Sequence, residues 1–317
     1  MTTSYELTAC PVCGGRESEL LADAAGVRAE VEALWQHHTE GDVVIPLPEL
    51  TDRLAFTHPP PLAVVRCVAC GLVYRNPRER HVREFYEEEA LDVTQLHALR
   101  AAQRAGFNAA VARLTALNGG AGQGIEVGSY AGAFLAAAAA AGWRFTGVDV
   151  NPAVVAFLRE QGHPVVAGGI EQAPASECDV VAIWNCFDQL PDPLAAAHAA
   201  LARLRPGGVL ALRVPNGDFY ARLRRRSGGR LARGAQALLA RHNFLGFPYR
   251  HGFTARSLTH LLGRAGFDVI EVRSAEVLPV PGPPGAAAVS DRLLAAAERA
   301  LRPLAGAPWL ELYARRA

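Results

Sequence analysis

From about residue 97 onward, short apolar runs of strand length alternate with stretches of helical period, and this alternation leaves few folds open. Residues 96–117 have helical period, and strand-like runs follow at 124–128, 145–149, 164–167, 179–184 and 209–214. Helical stretches separate them: 135–141, a helix that starts at Pro152 behind Asn151, and 192–204, which Arg205, Pro206, Gly207 and Gly208 end. Further on, Thr254 is placed to cap a helix through Ala265, Gly266 stops it, and 267–273 reads as a strand. A Pro/Gly loop at 279–285, a helix at 291–301 and a last strand at 308–315 complete the pattern. Alternation of this kind predicts an α/β fold, a parallel sheet with helices on both faces.

The N-terminal region does not share that alternation, and its landmark is cysteine. Four of the six cysteines form two CxxC pairs, Cys10 with Cys13 and Cys67 with Cys70, each followed by a glycine, Gly14 and Gly71. In a zinc knuckle the two thiolates sit on a tight turn, and a glycine just after the second tolerates positive φ. Two disulfides or a redox CxxC are the alternatives. The start of the chain has neither a basic n-region nor an apolar h-region, which argues against export and hence against disulfides. A redox site needs only one pair. The expectation is one structural zinc held by Cys10, Cys13, Cys67 and Cys70. Residues 14–66 lie between the pairs as a folded insertion with a helix at 27–38 and a strand at 62–66. His37 and His38 read as surface residues, because four cysteines already close the site. Cys178 and Cys186 flank an apolar run and read as small buried residues.

Composition limits the function classes. The 317 residues are half apolar and one fifth charged, enough for a sizeable core. No apolar run approaches the roughly 18 residues of a membrane span, so a cytoplasmic protein without membrane contact is expected. A net charge of +1 disfavours a nucleic-acid partner. The chain contains no lysine, so every basic residue is arginine, as a GC-rich genome would produce. Arginine clusters therefore carry less weight here than in an average chain.

In an open α/β sheet, ligands bind outside the carboxyl ends of the strands. The first strand here runs through Glu126 into Gly128, Ser129, Tyr130, Ala131 and Gly132. The second ends in Asp149, about 20 residues on, where a carboxylate can accept hydrogen bonds from both hydroxyls of a ribose. The loop lacks the middle glycine of a dinucleotide fingerprint, and the carboxylate of Glu126 would repel a pyrophosphate but suits an ammonium. Together with Arg205–Gly208 before the fifth strand, this ordered set resembles the class I S-adenosylmethionine (SAM) dependent methyltransferases. The segment Cys178–Pro193 resembles their fourth strand and the turn beyond it. His251, Gly252, Phe253 and Thr254, with the helix through Gly266, resemble their closing helix. The two knuckles, with Arg66 to Pro77 and the Phe85-Tyr86 pair, resemble bacterial members that carry an N-terminal zinc ribbon, including sugar and natural-product enzymes.

That resemblance implies a Rossmann-like sheet of seven strands with the last antiparallel, behind a small zinc-binding domain at residues 1–95. The methyltransferase domain would occupy 96–317. It implies SAM bound by Glu126, Gly128, Ser129, Tyr130, Gly132, Asp149 and Val150, with Ile170 meeting the adenine through its backbone and Asn185 facing cofactor or substrate. The expected function is methyl transfer to a small-molecule acceptor, a sugar or natural-product intermediate. An RNA or protein methyltransferase that reads its substrate with the zinc module is the alternative. Where the family often has Glu-His, this chain has Asp188 and Gln189. His251 is the leading candidate for a general base, followed by Asp188 and Tyr249. Residues 216–250 carry many arginines and amphipathic leucines (Leu223, Leu231, Leu238, Leu239), which fits a lid on the sheet edge that meets an anionic acceptor.

Overall fold

In the computed structural model, the residues described are 5–39, 63–79, 91–174, 177–226, 232–242, 250–275, 278, 296, 298–300 and 306–317. Tyr249, Leu231, the Phe85-Tyr86 pair, the loop expected at 279–285 and most of the helix expected at 291–301 lie outside them.

The N-terminal module contains strands β1 (Tyr5–Glu6) and β2 (Ser18–Ala22), helix α1 (Ala24–Thr39), and strands β3 (Val64–Cys67), β4 (Val73–Arg75) and β5 (Arg78–Glu79). Helices α2 (Val93–Arg104) and α3 (Asn108–Asn118) follow, joined by a 3₁₀ turn, so the single helix read at 96–117 is broken. Asp92 caps α2 by accepting from the Thr94 amide, and Gly119, with φ 75°, ends α3.

Next come β6 (Gln123–Val127), α4 (Ala133–Ala140), β7 (Arg144–Asp149), α5 (Pro152–Glu160), β8 (Val165–Ala167), β9 (Cys178–Trp184), α6 (Pro193–Arg203) and β10 (Leu204–Pro215). Each of α5 and α6 starts with proline behind a capping side chain, Asn151 and Asp192, whose oxygens accept the first free amides. Helices α7 (Gly217–Arg226) and α8 (Ala232–His242), strand β11 (His251–Gly252), helix α9 (Ala255–Arg264), and strands β12 (Phe267–Ala275) and β13 (Trp309–Arg316) complete the chain. The central sheet has the order β12-β13-β10-β9-β6-β7-β8. β6 to β10 are parallel, and β13 runs antiparallel between β10 and β12. This is the seven-stranded sheet expected from the sequence. β9 at its centre is apolar on both faces because helices cover both.

The reversed last strand is fixed by a buried ionic cluster. Glu311 of β13 stands in register with Arg213 of β10 on one side and Arg273 of β12 on the other. Arg213 Nε donates to Glu311 Oε1 at 3.1 Å, Arg273 Nε to Oε2 at 2.9 Å, and the Tyr313 hydroxyl to Oε2 at 3.0 Å. The Arg213 guanidinium also lies over the rings of Phe107 and Trp184, 5.2 and 5.6 Å from their centroids. Burial pushes the Glu311 carboxyl up, but the two guanidiniums outweigh it and hold it below its ordinary range.

The described part of the 216–250 segment, α7 and α8, packs against the N-terminal module. Phe219, Tyr220, Leu223, Leu238 and Leu239 of α7 and α8 share a core with Ala22, Val27, Val64 and Val73 of the N-terminal module. The short β2–β4 hairpins and α1 expose an apolar face that they cannot bury alone, and the amphipathic α7–α8 pair covers it. β11 goes further and pairs antiparallel with β4, His251 opposite Tyr74 and Gly252 opposite Val73, giving a four-stranded sheet β11-β4-β3-β2. The arginines of α7 serve the same contact. Arg225 pairs with Glu19 at 2.7 Å and Arg224 with Glu30 at 3.7 Å, while Arg66 of the module pairs with Asp218 at 2.7 Å. Module carboxylates thus engage arginines expected to meet an anionic acceptor.

Replacing Glu311 by alanine strands a buried guanidinium, and denaturant unfolding of Glu311→Ala is expected to show a loss of about 3–5 kcal/mol. Exchanging Arg213 and Glu311 together for apolar residues of similar volume is expected to cost much less, because no charge is left unpaired.

Candidate functional site

The carboxyl ends of β6, β7 and β9 converge on the glycine loop. Gly128 leaves β6 with φ 72°, and its amide donates to the Val148 carbonyl at 2.8 Å. A Cβ on Gly128 would stand 2.6 Å from Cys186 Sγ, so the position is closed to any other residue on two counts. Gly132 caps α4 at φ 67°. Two residues other than glycine have left-handed backbones among those described, Tyr130 (φ 40°) and Asn185 (φ 58°), and both border this space. Strain of this kind collects where a ligand is held.

Asp149 closes the second side. Its Oδ2 accepts from the Tyr130 amide and its Oδ1 from the Asn151 amide, both at 3.0 Å. Burial raises its pKa, and those amides pull in the opposite direction. Each oxygen keeps acceptor capacity for a hydroxyl. Val150, beside it, is an exposed apolar side chain. Glu126 is buried, and its Oε2 has no hydrogen-bond partner. Burial pushes the Glu126 carboxyl well up, Ser129 lowers it, and Asp149 raises it further. The Ser129 hydroxyl donates to the Glu126 carbonyl at 3.2 Å. The Ile170 side chain is packed in the core, and its carbonyl accepts from the Ala173 amide.

β9 delivers the fourth wall. The Asn185 amide donates to the Arg213 carbonyl at 3.0 Å, and its carbonyl accepts from Gln189 Nε2 at 2.7 Å. Cys186 Sγ donates to the Val127 carbonyl at 3.2 Å. It is therefore more than the small buried residue read from sequence: it is the side chain against which the glycine loop closes. Its place next to Asn185, at the end of a sheet strand, was the available signal. Asp188 is fully buried on a 3₁₀ turn, Phe187–Gln189, and neither of its carboxylate oxygens has a partner.

His251 is buried with its Nδ1 3.1 Å from the Asp188 carbonyl. Burial first, then Arg250, Arg78 and Arg75, push the imidazole down to about 3, against the hydrogen bond to Asp188. The expectation of a histidine titrating near neutrality is corrected on that ground: the ring is neutral throughout the physiological range. His251 lines a small cavity of about 20 Å³ with Pro215 and Tyr220 on one side and Val64, Val73 and Tyr74 of the N-terminal module on the other. That is room for a water molecule rather than a substrate.

The four knuckle cysteines come together away from this cradle. Their Sγ atoms lie within 4.8 Å of one another, Cys10 to Cys70 and Cys13 to Cys67 at 3.5 Å. Tetrahedral zinc with Zn–S near 2.3 Å sets thiolates about 3.8 Å apart, so the donor set fits such an ion. Gly14 and Gly71, at φ 73° and 80°, send their amides back to the Cys10 and Cys67 carbonyls and form two matched knuckles. The hydrogen bond between Cys10 and Cys70 pushes the first thiol up and pulls the second down to about 5. Val12 of the first knuckle accepts from Arg264 of α9.

A family model described as a methyltransferase domain matches residues 97–272. Solved structures similar to this chain include 1,6-didemethyltoxoflavin-N1-methyltransferase of Burkholderia thailandensis, with 1,6-didemethyltoxoflavin and S-adenosylhomocysteine bound. It is 19% identical over 81% of this chain and 96% of that one, with a TM-score of 0.44. The N-methyltransferase NodS of Bradyrhizobium japonicum, in complex with S-adenosylhomocysteine, is 17% identical over 66% and 85%, at 0.43. A SAM-dependent methyltransferase of Thermotoga maritima, a possible histamine N-methyltransferase, is 18% identical over 69% and 91%, at 0.44. No curated protein matches the chain. Among the described residues, no helix is long and apolar enough to cross a membrane.

The depressed His251 gives a signed prediction. Its folded pKa lies below the unfolded value of about 6.5. The stability it contributes is therefore complete above pH 6.5 and is lost as pH falls toward about 3. Thermal melts of His251→Gln are expected to fall less steeply than wild type between those limits.

Proposed function

Since the chain belongs to the SAM-dependent methyltransferases, we propose that it transfers the methyl group of SAM to a small-molecule acceptor, with SAM held at the ends of β6, β7 and β9. The observation that carries this reading is the cradle formed by Gly128, Tyr130 and Asp149, with Glu126 left unsatisfied beneath it. Asp149 would hold the ribose hydroxyls through its remaining lone pairs. Glu126 would receive the ammonium of the methionine moiety, directly or through water, and that charge would repay the cost of its burial. Val150 offers an exposed apolar surface to the adenine, and Ile170 its backbone. Ser129, Gly132, Tyr130 and Asn185 shape the loop around the methionine end.

When bound, SAM supplies a methyl group on a sulfonium, displaced in line. The protein's share is to align the acceptor and exclude water. His251, buried, tied to the Asp188 carbonyl and pushed down to about 3, is poorly placed to remove a proton at neutral pH and serves to fix the turn that carries Asp188. Burial pushes the Asp188 carboxyl well above its ordinary range, against the ionised form a base needs. Tyr249, outside the described residues, remains the candidate general base. The acceptor reading does not call on Arg224 and Arg225, which Glu30 and Glu19 engage.

The N-terminal module is proposed to hold one structural zinc. Four thiolates complete the tetrahedron and leave no position for water or substrate. Metal analysis of purified protein is expected to give about one zinc per chain. Cys67→Ser is expected to lose it and to melt at lower temperature, with the α9 end of the catalytic domain loosened through Val12 and Arg264.

The cofactor site is tested by calorimetry. Asp149→Ala is expected to lose roughly 2–4 kcal/mol of SAM affinity, the worth of a charge-assisted hydrogen-bond pair. Wild-type affinity in that variant would remove the assignment.

A further inference from the structure

Asp188 has no explanation in the fold. Among the described residues it is the one carboxylate with no exposure whose two oxygens both lack a partner. A buried acid in that state is costly whether charged or neutral, and such groups call for a ligand or a function. Nothing about the local backbone forces it inward by accident. The turn that carries Asp188 is pinned on several sides: its carbonyl accepts from the Arg250 amide at 3.2 Å and meets His251 Nδ1, and the Gln189 amide returns to the Cys186 carbonyl at 3.0 Å.

The surroundings give the missing partner a sign. Cys186, two residues earlier, places its Sγ where a Cβ on Gly128 would collide with it. Its thiol is pushed up by burial and then by three carboxyls, Asp188, Asp149 and Glu126, in that order. One acid from each of the ends of β6 and β7 and one from the turn after β9 thus act on a single point. Backbone amides bond Asp149 and Ser129 bears on Glu126, and among the described residues no guanidinium or imidazole bonds any of the three. The Arg250 amide and the His251 ring meet this turn at the Asp188 carbonyl rather than at its carboxyl, and burial pushes the His251 imidazole down to about 3.

We propose that Asp188 is the counter-ion for a positive charge carried in by the ligand, the sulfonium of SAM, so that the cradle distinguishes SAM from its uncharged product. This rests on the cofactor reading given above. In the unliganded protein, burial pushes the Asp188 carboxyl well up, toward its protonated form. A cation entering beside it favours the carboxylate, and the proton leaves to solvent. Once the methyl group has gone, the thioether sulfur carries no charge, the carboxylate loses its partner and the proton returns. The product is then held less tightly than the substrate, without any change in the contacts made by its adenosine or its amino-acid end.

The test uses calorimetry on the full chain with three ligands of nearly the same shape. SAM carries a sulfonium, sinefungin an ammonium at the same place, and S-adenosylhomocysteine no charge there. For wild type, binding measured in two buffers of different ionisation enthalpy is expected to release more protons with SAM and sinefungin than with S-adenosylhomocysteine, a comparison that needs no variant. Asp188→Asn is expected to weaken SAM and sinefungin by about tenfold or more while leaving S-adenosylhomocysteine within about twofold, the pattern of one lost charge pair. Its cooperative melt should match wild type, since neither oxygen of the residue it replaces has a hydrogen-bond partner to lose. Equal proton release for all three ligands, unchanged affinity for the two cations, or an equal loss for all three would overturn the assignment, the last by showing a packing role. If wild type binds none of the three, the cofactor reading itself fails.

Discussion

Two residue pairs, His251 with Tyr74 and Gly252 with Val73, join the sheet of the N-terminal module to the polypeptide that leaves the central sheet. Much of the arrangement follows from that short ladder. It holds α7 and α8 against α1, buries His251, and brings the cysteine knuckles onto α9. The Gly217 amide, donating to the Phe253 carbonyl at 2.7 Å, and the ion pairs from Arg66, Arg224 and Arg225 extend the same contact on its polar rim. The part-exposed pairs of Arg66 and Arg225 add little individually, while Glu30, paired with Arg224, is buried. The apolar face they surround carries the association.

Electrostatics divides the molecule in two. Where β10, β12 and β13 meet, a buried carboxylate is compensated by two guanidiniums and a hydroxyl. At the ends of β6, β7 and β9, three buried carboxyls have no cation bonded to them among the described residues. The first arrangement is complete as it stands and serves the fold. The second is incomplete, and that asymmetry marks the site more sharply than any cavity does.

The sequence made the central sheet legible because each strand is a short apolar run and each helix has a cap or a stop: Asn151 before Pro152, Asp192 before Pro193, Thr254 with Ser257, and Gly266. The cradle was legible for the same reason, since Glu126, Gly128 and Asp149 fall at strand ends. The two-residue strand β11 was not, because two residues have no period. Without it, the α7–α8 leucines looked like a lid, when the surface they cover is supplied by Ala22, Val27 and Val64, far earlier in the chain. The protonation state of His251 was equally hidden, because burial by a distant segment leaves no mark on neighbouring residues. Arg213 and Glu311 were invisible as a pair, since only the register of β10 with β13 sets them opposite each other.

The shared core of Ala22, Val27, Phe219, Leu223 and Leu238 also sets an order of events during synthesis. Residues of the N-terminal module leave the ribosome first, yet the helices that cover their apolar face, and the strand that completes their sheet, are made only after β6 to β10. Until residue 252 has emerged, that face stays open to solvent and to other chains, whatever metal the knuckles have acquired. The module is thus translated before the enzyme domain and finished only after most of it, so its folding is timed by the domain that it precedes.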